Sequence, residues 1–356
     1  MTPSPRATGC FLIGATGEGW TEDGCAILGS VSDDPYDIRT FVRVIRPDEG
    51  YVHLGTELIS TTEHTLEERG YLCKPYETTR AVNEAGLAFT CAGVFERSDL
   101  VPASEPSEFM EATSGMLRVC ADVDEAIAHL RGIAFTTLAW NVLLADATGA
   151  IAQVEIGRAG FSVVGKHMPS DPGVLITVNC YVNLAEFNDD ASLITNLANN
   201  NACRFERGQH LAHNTKGAIS ARTIADMLAD HANADRDPLS NPVLDAWGYS
   251  ICNHGTRGTD TYPYENLPWG TVSAEILEPR DRRLWYAYGW PCGSPAEHGD
   301  QLLQPNSWGR FLPFVLDDTR PGACTTPSGE ITPFGVRYVH GSPIAPVTSV
   351  HALTAV

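Results

Sequence analysis

The sequence predicts an α+β fold, a four-layer αββα sandwich in which two antiparallel sheets lie face to face between helical layers. Two observations carry this. The predicted elements come in blocks (strands, helices, strands, helices, strands), an order that is hard to wind into a parallel sheet and easy to stack as two antiparallel ones. The strand-like runs are also short and joined by Gly-, Pro- and Asp-rich turns. With 43% apolar residues among 356, the chain has ample material for a sizeable core.

The first block holds residues 10–15, 25–31 and 40–45, which read as antiparallel neighbours separated by the turns Glu22-Asp23-Gly24 and Asp33-Asp34-Pro35. A further strand at 86–91 precedes two helices, 107–117 and 122–130. The second helix puts Val123, Ala126, Ile127 and Leu130 on one face. Strands at 140–145, 150–155, 161–165 and 173–179 follow, the first two joined by the hairpin turn Asp146-Ala147-Thr148-Gly149. Helices return at 193–213 and, capped by Ser220, at 221–231, where Ile224, Met227 and Leu228 share a face. A last hairpin pairs 271–277 with 283–288 around Glu278-Pro279-Arg280-Asp281. Residues 232–270 read as a long surface loop of functional length, and 293–356 as a Pro- and Gly-rich wrap on the same domain.

Composition narrows the function classes. A formal charge of −20 speaks against non-specific binding to nucleic acid or anionic membranes, which needs clustered Lys and Arg. No apolar stretch is long enough to span a bilayer, and the N-terminus lacks the apolar core of a signal peptide, so a cytoplasmic protein is expected. The ten cysteines are scattered singly, with no CxxC pair, which fits reduced thiols better than a disulfide framework. The nearest approach to a metal motif is Cys252-Asn253-His254, with no second pair of comparable spacing. No metal and no cofactor is expected. A homo-oligomer is compatible with the sequence.

The chemistry centres on Gly9-Cys10, followed by the apolar run Phe11-Leu12-Ile13 and a glycine-rich turn. A cysteine whose own α-amino group is free carries nucleophile and general base on one residue, because the amine titrates near pH ~7.7–8 and the thiol near ~8.5. In a chain beginning at Met1, the Gly9–Cys10 bond must break before that chemistry can run. Residues 1–9 are therefore expected to be a leader removed on activation. Glycine at position 9 leaves the carbonyl open to attack.

Further runs recur in order: Asp23-Gly24, Gly29-Ser30-Val31-Ser32-Asp33, Asn83-Glu84-Ala85-Gly86-Leu87, Asp146-Ala147-Thr148-Gly149, Thr177-Val178-Asn179 and Cys203-Arg204-Phe205. Leu228-Ala229-Asp230-His231, Ile251-Cys252-Asn253-His254, Thr271-Val272-Ser273 and Gly289-Trp290-Pro291-Cys292 close the series. Together they resemble the cysteine N-terminal nucleophile hydrolases over residues 10–292. The closing set is more similar to the isopenicillin N acyltransferase (acyl-CoA:6-aminopenicillanate acyltransferase) branch than to the related choloylglycine (bile-salt) hydrolases.

The resemblance implies an amidase or N-acyltransferase acting on a linear C–N bond of a small-molecule amide or acyl substrate, with self-cleavage at Gly9–Cys10. It makes Cys10 the nucleophile, Asp33 the carboxylate holding the freed amine, Asn179 an oxyanion donor and Arg204 a guanidinium steadying the nucleophile's surroundings. Asp34 competes with Asp33, and either acid could simply cap a turn. Asn179 could be a strand-end turn residue, and Arg204 a helix-face salt-bridge partner. His231 fits a helix C-terminal dipole partner better than a catalyst. Where bile-salt hydrolases carry an arginine before the aspartate this chain has Ser30, and where they carry a second polar side chain after the Gly-Leu strand it has Ala92-Gly93 or Val94, which points away from bile-salt hydrolysis. Tyr181 and Trp269 are candidates to line an acyl pocket. The competing reading from another class is a non-catalytic binding or metal-holding protein with structural cysteines.

Overall fold

The elements fall into the expected blocks. The first supplies β1 (Phe11–Thr16), β2 (Ile27–Pro35), β3 (Ile38–Ile45), β4 (His53–Ser60), β5 (Thr78–Asn83) and β6 (Ala88–Val94). Helices α1 (Phe109–Val119) and α2 (Val123–Arg131) follow, then β7 (Ala139–Ala145), β8 (Ile151–Gly157), β9 (Gly160–His167) and β10 (Gly173–Thr177). After α3 (Asn200–Asn214) and α4 (Ala221–Leu228) come β11 (Trp269–Glu278), β12 (Arg283–Tyr288), β13 (Leu312–Val315) and the short β14 (Arg337–Val339) and β15 (Ser342–Ile344). The computed structural model describes residues 10–35, 38–60, 78–94, 96–97, 99, 109–135, 139–188, 200–230, 250–253, 269–292, 308, 311–318, 337–339 and 342–344.

Six strands form one antiparallel sheet in the order β10-β1-β2-β11-β12-β13, and seven form another in the order β3-β4-β5-β6-β7-β8-β9. Three apolar layers give the stacking. Met116, Leu117, Val123 and Leu130 of α1 and its neighbour α2 pack on Phe89, Val142 and Val154 of the seven-stranded sheet. Leu12, Leu28, Leu54, Val82, Leu143 and Ile151 meet between the sheets. Ile224, Met227 and Leu228 of α4 close over Phe11, Ile13 and Ile27 on the far side. The order helix, sheet, sheet, helix is the predicted sandwich. The capping box of Ser220 and Thr223 starts α4, and the Asp122 side chain accepts from the Glu125 N–H at the start of α2.

Side chains alternate faces along a strand, so each strand reaching the middle layer does so every second residue. Stepping by two from the apolar middle leads to polar residues. Leu12 leads to Cys10, Leu28 to Ser30 and Ser32, Val82 to Arg80, Leu143 to Asn141, and Leu277 to Glu275, all buried. One end of the inter-sheet layer is thus polar, and Cys10 stands in it at the start of β1.

Several expectations change. Asp33 and Asp34 are residues of β2, which runs to Pro35, so neither belongs to a turn. Strands β2 and β3 are not neighbours: they lie in different sheets. Strands β4 and β5 escape the periodicity because they carry His53, Thr56, Thr78, Thr79 and Arg80 at buried positions. The wrap 293–356 contributes a sixth strand, β13, to the first sheet. Within the predicted helix 193–213, residues 200 onward are helical and 193–199 lie outside the described residues, as does His231. Only 250–253 and 269–270 of the long loop are described.

The pairing of β2 with β11 contains one irregularity. Thr271 lies opposite Asp33, while Ser273 lies opposite Ser32, so Val272 is an extra residue between them, a β-bulge. Before it Thr271 faces the helical side with Asp33, and after it Glu275 and Leu277 face the other sheet.

Candidate active site

Antiparallel pairing of β1 with β10 sets Leu12 opposite Thr177, which brings Cys10 level with Asn179 just past the end of β10. The Cys10 main-chain N–H donates to Asn179 Oδ1 at 2.5 Å. Arg204, on α3, donates to the same oxygen at 3.1 Å and to Asn201 Oδ1 at 2.9 Å. Its other terminal nitrogen sits 3.5 Å from Asp33 Oδ2, both side chains fully buried. Asp33 also accepts from Thr271 Oγ1 at 2.6 Å and from Asn253 Nδ2 at 3.3 Å. Thr271 Oγ1 in turn accepts the Asn253 N–H at 2.9 Å, so the carboxylate is held from three elements at once.

The structure therefore brings four predicted residues together: Cys10, Asp33, Asn179 and Arg204. Of the two competing acids, Asp33 meets Arg204, Thr271 and Asn253, while Asp34 acts on the thiol and on Arg80 through its charge. The Asn179 amide nitrogen donates to Gly93 O at 2.7 Å. Asn141 fixes this residue from both sides, donating at 2.7 Å to the carbonyls of Val178 and Cys180. Beyond it, buried Glu155 accepts the main-chain N–H groups of Val182, Asn183 and Leu184 and ties down the segment leaving the site.

Tyr181 is buried in a small cluster with Val94 and Ala139, its hydroxyl 3.0 Å from Glu96 Oε1 and donating to Ile156 O at 3.1 Å. Trp269 is the first residue of β11, its side chain outside the described residues, and Gly9 with the rest of the leader also lies outside them.

The electrostatics separate the groups. Burial pushes the Cys10 thiol up to about 11. Arg80 opposes this, Asp34 and Asp33 add to it, and the Asp33 main-chain N–H directed at the sulfur draws it down. At neutral pH the sulfur is therefore held as a thiol. Burial likewise raises Asp33 to about 7 against the pull of Arg204, Thr271 and Asn253, with Asp34 adding to the rise. The carboxyl is thus poised to change charge near neutrality.

Two residues missed in the sequence complete the surroundings. Arg80 of β5 places Nη2 4.0 Å from Cys10 Sγ, and its Nε is 3.3 Å from Glu275 Oε2 of β11. The Ser30 hydroxyl donates to the same Glu275 carboxylate at 3.1 Å. The guanidinium beside the sulfur comes from the opposite sheet. A charged residue in the middle of a strand pattern, as in Thr-Thr-Arg-Ala-Val and Ser-Ala-Glu-Ile-Leu, was the available signal, since Arg and Glu are almost never buried unpaired.

Cys252 and Cys292 pack against each other as free thiols, burial and the contact with Cys292 pushing the Cys252 thiol well up. Among the described residues no group of three or more His, Cys, Asp and Glu is arranged to hold a metal ion, and His254 lies outside them.

No family model matches the chain, and no curated protein matches it. Among solved structures the chain is similar to penicillin V acylase from Agrobacterium tumefaciens, at 16% identity over 78% of this chain and 83% of that one, with a TM-score of 0.39. It is also similar to a variant of conjugated bile acid hydrolase from Clostridium perfringens, at 12% identity over 90% and 98% of the two chains, with a TM-score of 0.41. The Caenorhabditis elegans ortholog of N-acylethanolamine-hydrolyzing acid amidase aligns at 10% identity over 76% and 93%, with a TM-score of 0.40.

Proposed function

We propose that the chain is a cysteine N-terminal nucleophile amidohydrolase that cleaves a linear C–N amide bond of a small molecule through an acyl thioester on Cys10. The observation that carries this reading is the convergence on one residue of both groups the chemistry needs. The Cys10 main-chain nitrogen is held by Asn179, and its sulfur lies beside the Asp33 N–H and Arg80, in a cluster closed by Asp33 and Arg204.

Activation begins with attack of Cys10 Sγ on the Gly9 carbonyl. The C–N bond to Cys10 breaks, the nitrogen takes the thiol proton, and a thioester to the leader forms; water then releases the leader as a carboxylate. In turnover the freed α-amine accepts the thiol proton as sulfur attacks the substrate amide, and returns it to the departing amine. That base is needed because burial holds the thiol protonated at neutral pH. Asp33 orients the ammonium, and Asn179 with nearby main-chain N–H groups meets the charge developing on the carbonyl oxygen, a contribution of roughly 3–4 kcal/mol for one well-aimed donor. Water resolves the thioester, and an amine taking water's place makes the same site an N-acyltransferase.

Intact-mass spectrometry tests the proposal. Wild-type protein should lose the mass of residues 1–9 and carry one acyl adduct after a thiol-directed acylating probe, whereas Cys10→Ala should keep the leader and be inactive. Turnover by Cys10→Ala would refute the nucleophile.

A further inference from the structure

We infer that Arg80, clamped across the sandwich by Glu275, is the charge partner that positions and polarises the Cys10 sulfur. The inference rests on the reading of Cys10 as nucleophile and adds a residue to it from the sheet that does not carry the cysteine.

The geometry is specific. Arg80 Nη2 lies 4.0 Å from Cys10 Sγ and donates to Cys91 O at 3.1 Å, which fixes the end of the guanidinium. Its Nε is 3.3 Å from Glu275 Oε2. Glu275 also accepts from Ser30 Oγ at 3.1 Å and from Ser273 Oγ at 2.6 Å, so the carboxylate is held on its own strand and on β2. Arg80, Glu275 and Cys10 are all buried.

A buried ion pair is weak support for a fold, because an apolar pair of similar volume serves stability as well or better. One alternation away on the same two strands, Val82 and Leu277 belong to the apolar cluster that fills the same layer. The pair at the cysteine end is therefore placed for the sulfur. A cation at this range favours the thiolate, and Glu275 tempers it, leaving the sulfur protonated until the base acts. The other charged or titratable groups facing the sulfur are Asp33 and Asp34 of β2, Cys91 of β6 and, through Asp33, Arg204 of α3.

The test reads the sulfur directly. The rate of Cys10 alkylation by iodoacetamide is followed between about pH 6 and about pH 10 by mass spectrometry of the Cys10-bearing peptide from the full chain, a range below the thiol's midpoint where the rate climbs about tenfold per pH unit and a shifted midpoint displaces the whole profile. Glu275→Gln keeps the hydrogen-bonding shape but frees the Arg80 charge, so the alkylation midpoint should fall and the rate at pH 8 rise severalfold. Arg80→Met combined with Glu275→Gln leaves no unpaired buried charge. It should raise the midpoint by about one pH unit and slow alkylation about tenfold at pH 8.

Shifts of opposite sign support the inference, since a merely structural pair would move both variants the same way. Unchanged midpoints, or shifts of one sign, overturn it. If the double variant does not fold, Arg80→Lys replaces it: the shorter side chain withdraws the charge, and its alkylation should be slower than wild type while Glu275→Gln is faster. Turnover by Cys10→Ala with the alkylation order intact would remove the nucleophile and leave the pair; the reverse pattern would remove the pair alone.

Discussion

Both ends of the Asn179 side-chain amide are engaged, the oxygen by the Cys10 N–H and Arg204, the nitrogen by Gly93 O. Asn179→Asp would set a carboxylate against the Gly93 carbonyl and remove an N–H from the oxyanion region. Leader release, followed by intact mass over time, should slow by about 10²–10³. Asp33 gives a stability signature of known sign. Its carboxyl titrates near 7 in the folded chain, against ~3.9 unfolded, so the folded state binds the proton more tightly between those values. The stability of wild type minus that of Asp33→Asn should therefore be largest below about pH 4 and fall as pH rises to about 7, by up to ~1.4 kcal/mol per pH unit, then level off. Urea unfolding of both proteins across that range checks the slope. At this scale Cys10, Asp33, Asn179 and Arg204 were singled out by the order of the runs that carry them, Cys10 and Asn179 beside strand ends, Asp33 within β2 and Arg204 within α3. Arg80 and Glu275 were not, because nothing local in either strand says that the two lie across from each other.

Among the elements, the runs that stood out in sequence prove to be fastenings. Asn83 donates to the carbonyls of Leu117 and Cys120 and accepts the Leu87 N–H, joining α1 to the β5–β6 turn. Gly86 makes that turn at φ 90°, where a Cβ would lie 2.7 Å from that of Ala147. Asp146 accepts from Thr148 and Ala150 within its hairpin and from the Val123 N–H at the start of α2. Gly29 matters for closeness: a Cβ there would fall 2.4 Å from Ile224 Cγ2, so α4 can lie on β2 only over a bare backbone. Gly29→Val should lower stability by about 1–3 kcal/mol through that clash, seen as a reduced urea midpoint. Strong alternation and clear caps made most elements readable, including the second helix and the last hairpin. Polar residues turned inward concealed β4 and β5, and a Pro-rich stretch concealed β13.

For the molecule as a whole, the predicted layering was readable because the blocks of elements leave few other ways to bury two sheets. The partition of strands between the sheets was not, since β2 and β3 are consecutive yet part company. The charge of −20 acts at this scale too: carboxylates spread over one surface repel one another and favour the expanded chain. Raising NaCl from about 20 mM to about 300 mM should therefore raise Tm by a few degrees, with salt shortening the range of that repulsion. A flat or falling Tm would show that paired surface charges dominate instead. The extra residue Val272 bears on the entire design. Thr271 and Glu275 are separated by an even count, so a regular ribbon would turn both the same way, and the carboxylate anchor and the ion-pair acceptor could not serve opposite sides of one wall. Drawing position 272 into the ladder as a paired residue would be a parity error that exchanges inside for outside along whichever half of the strand yields, and it would part the two halves of the cysteine's support.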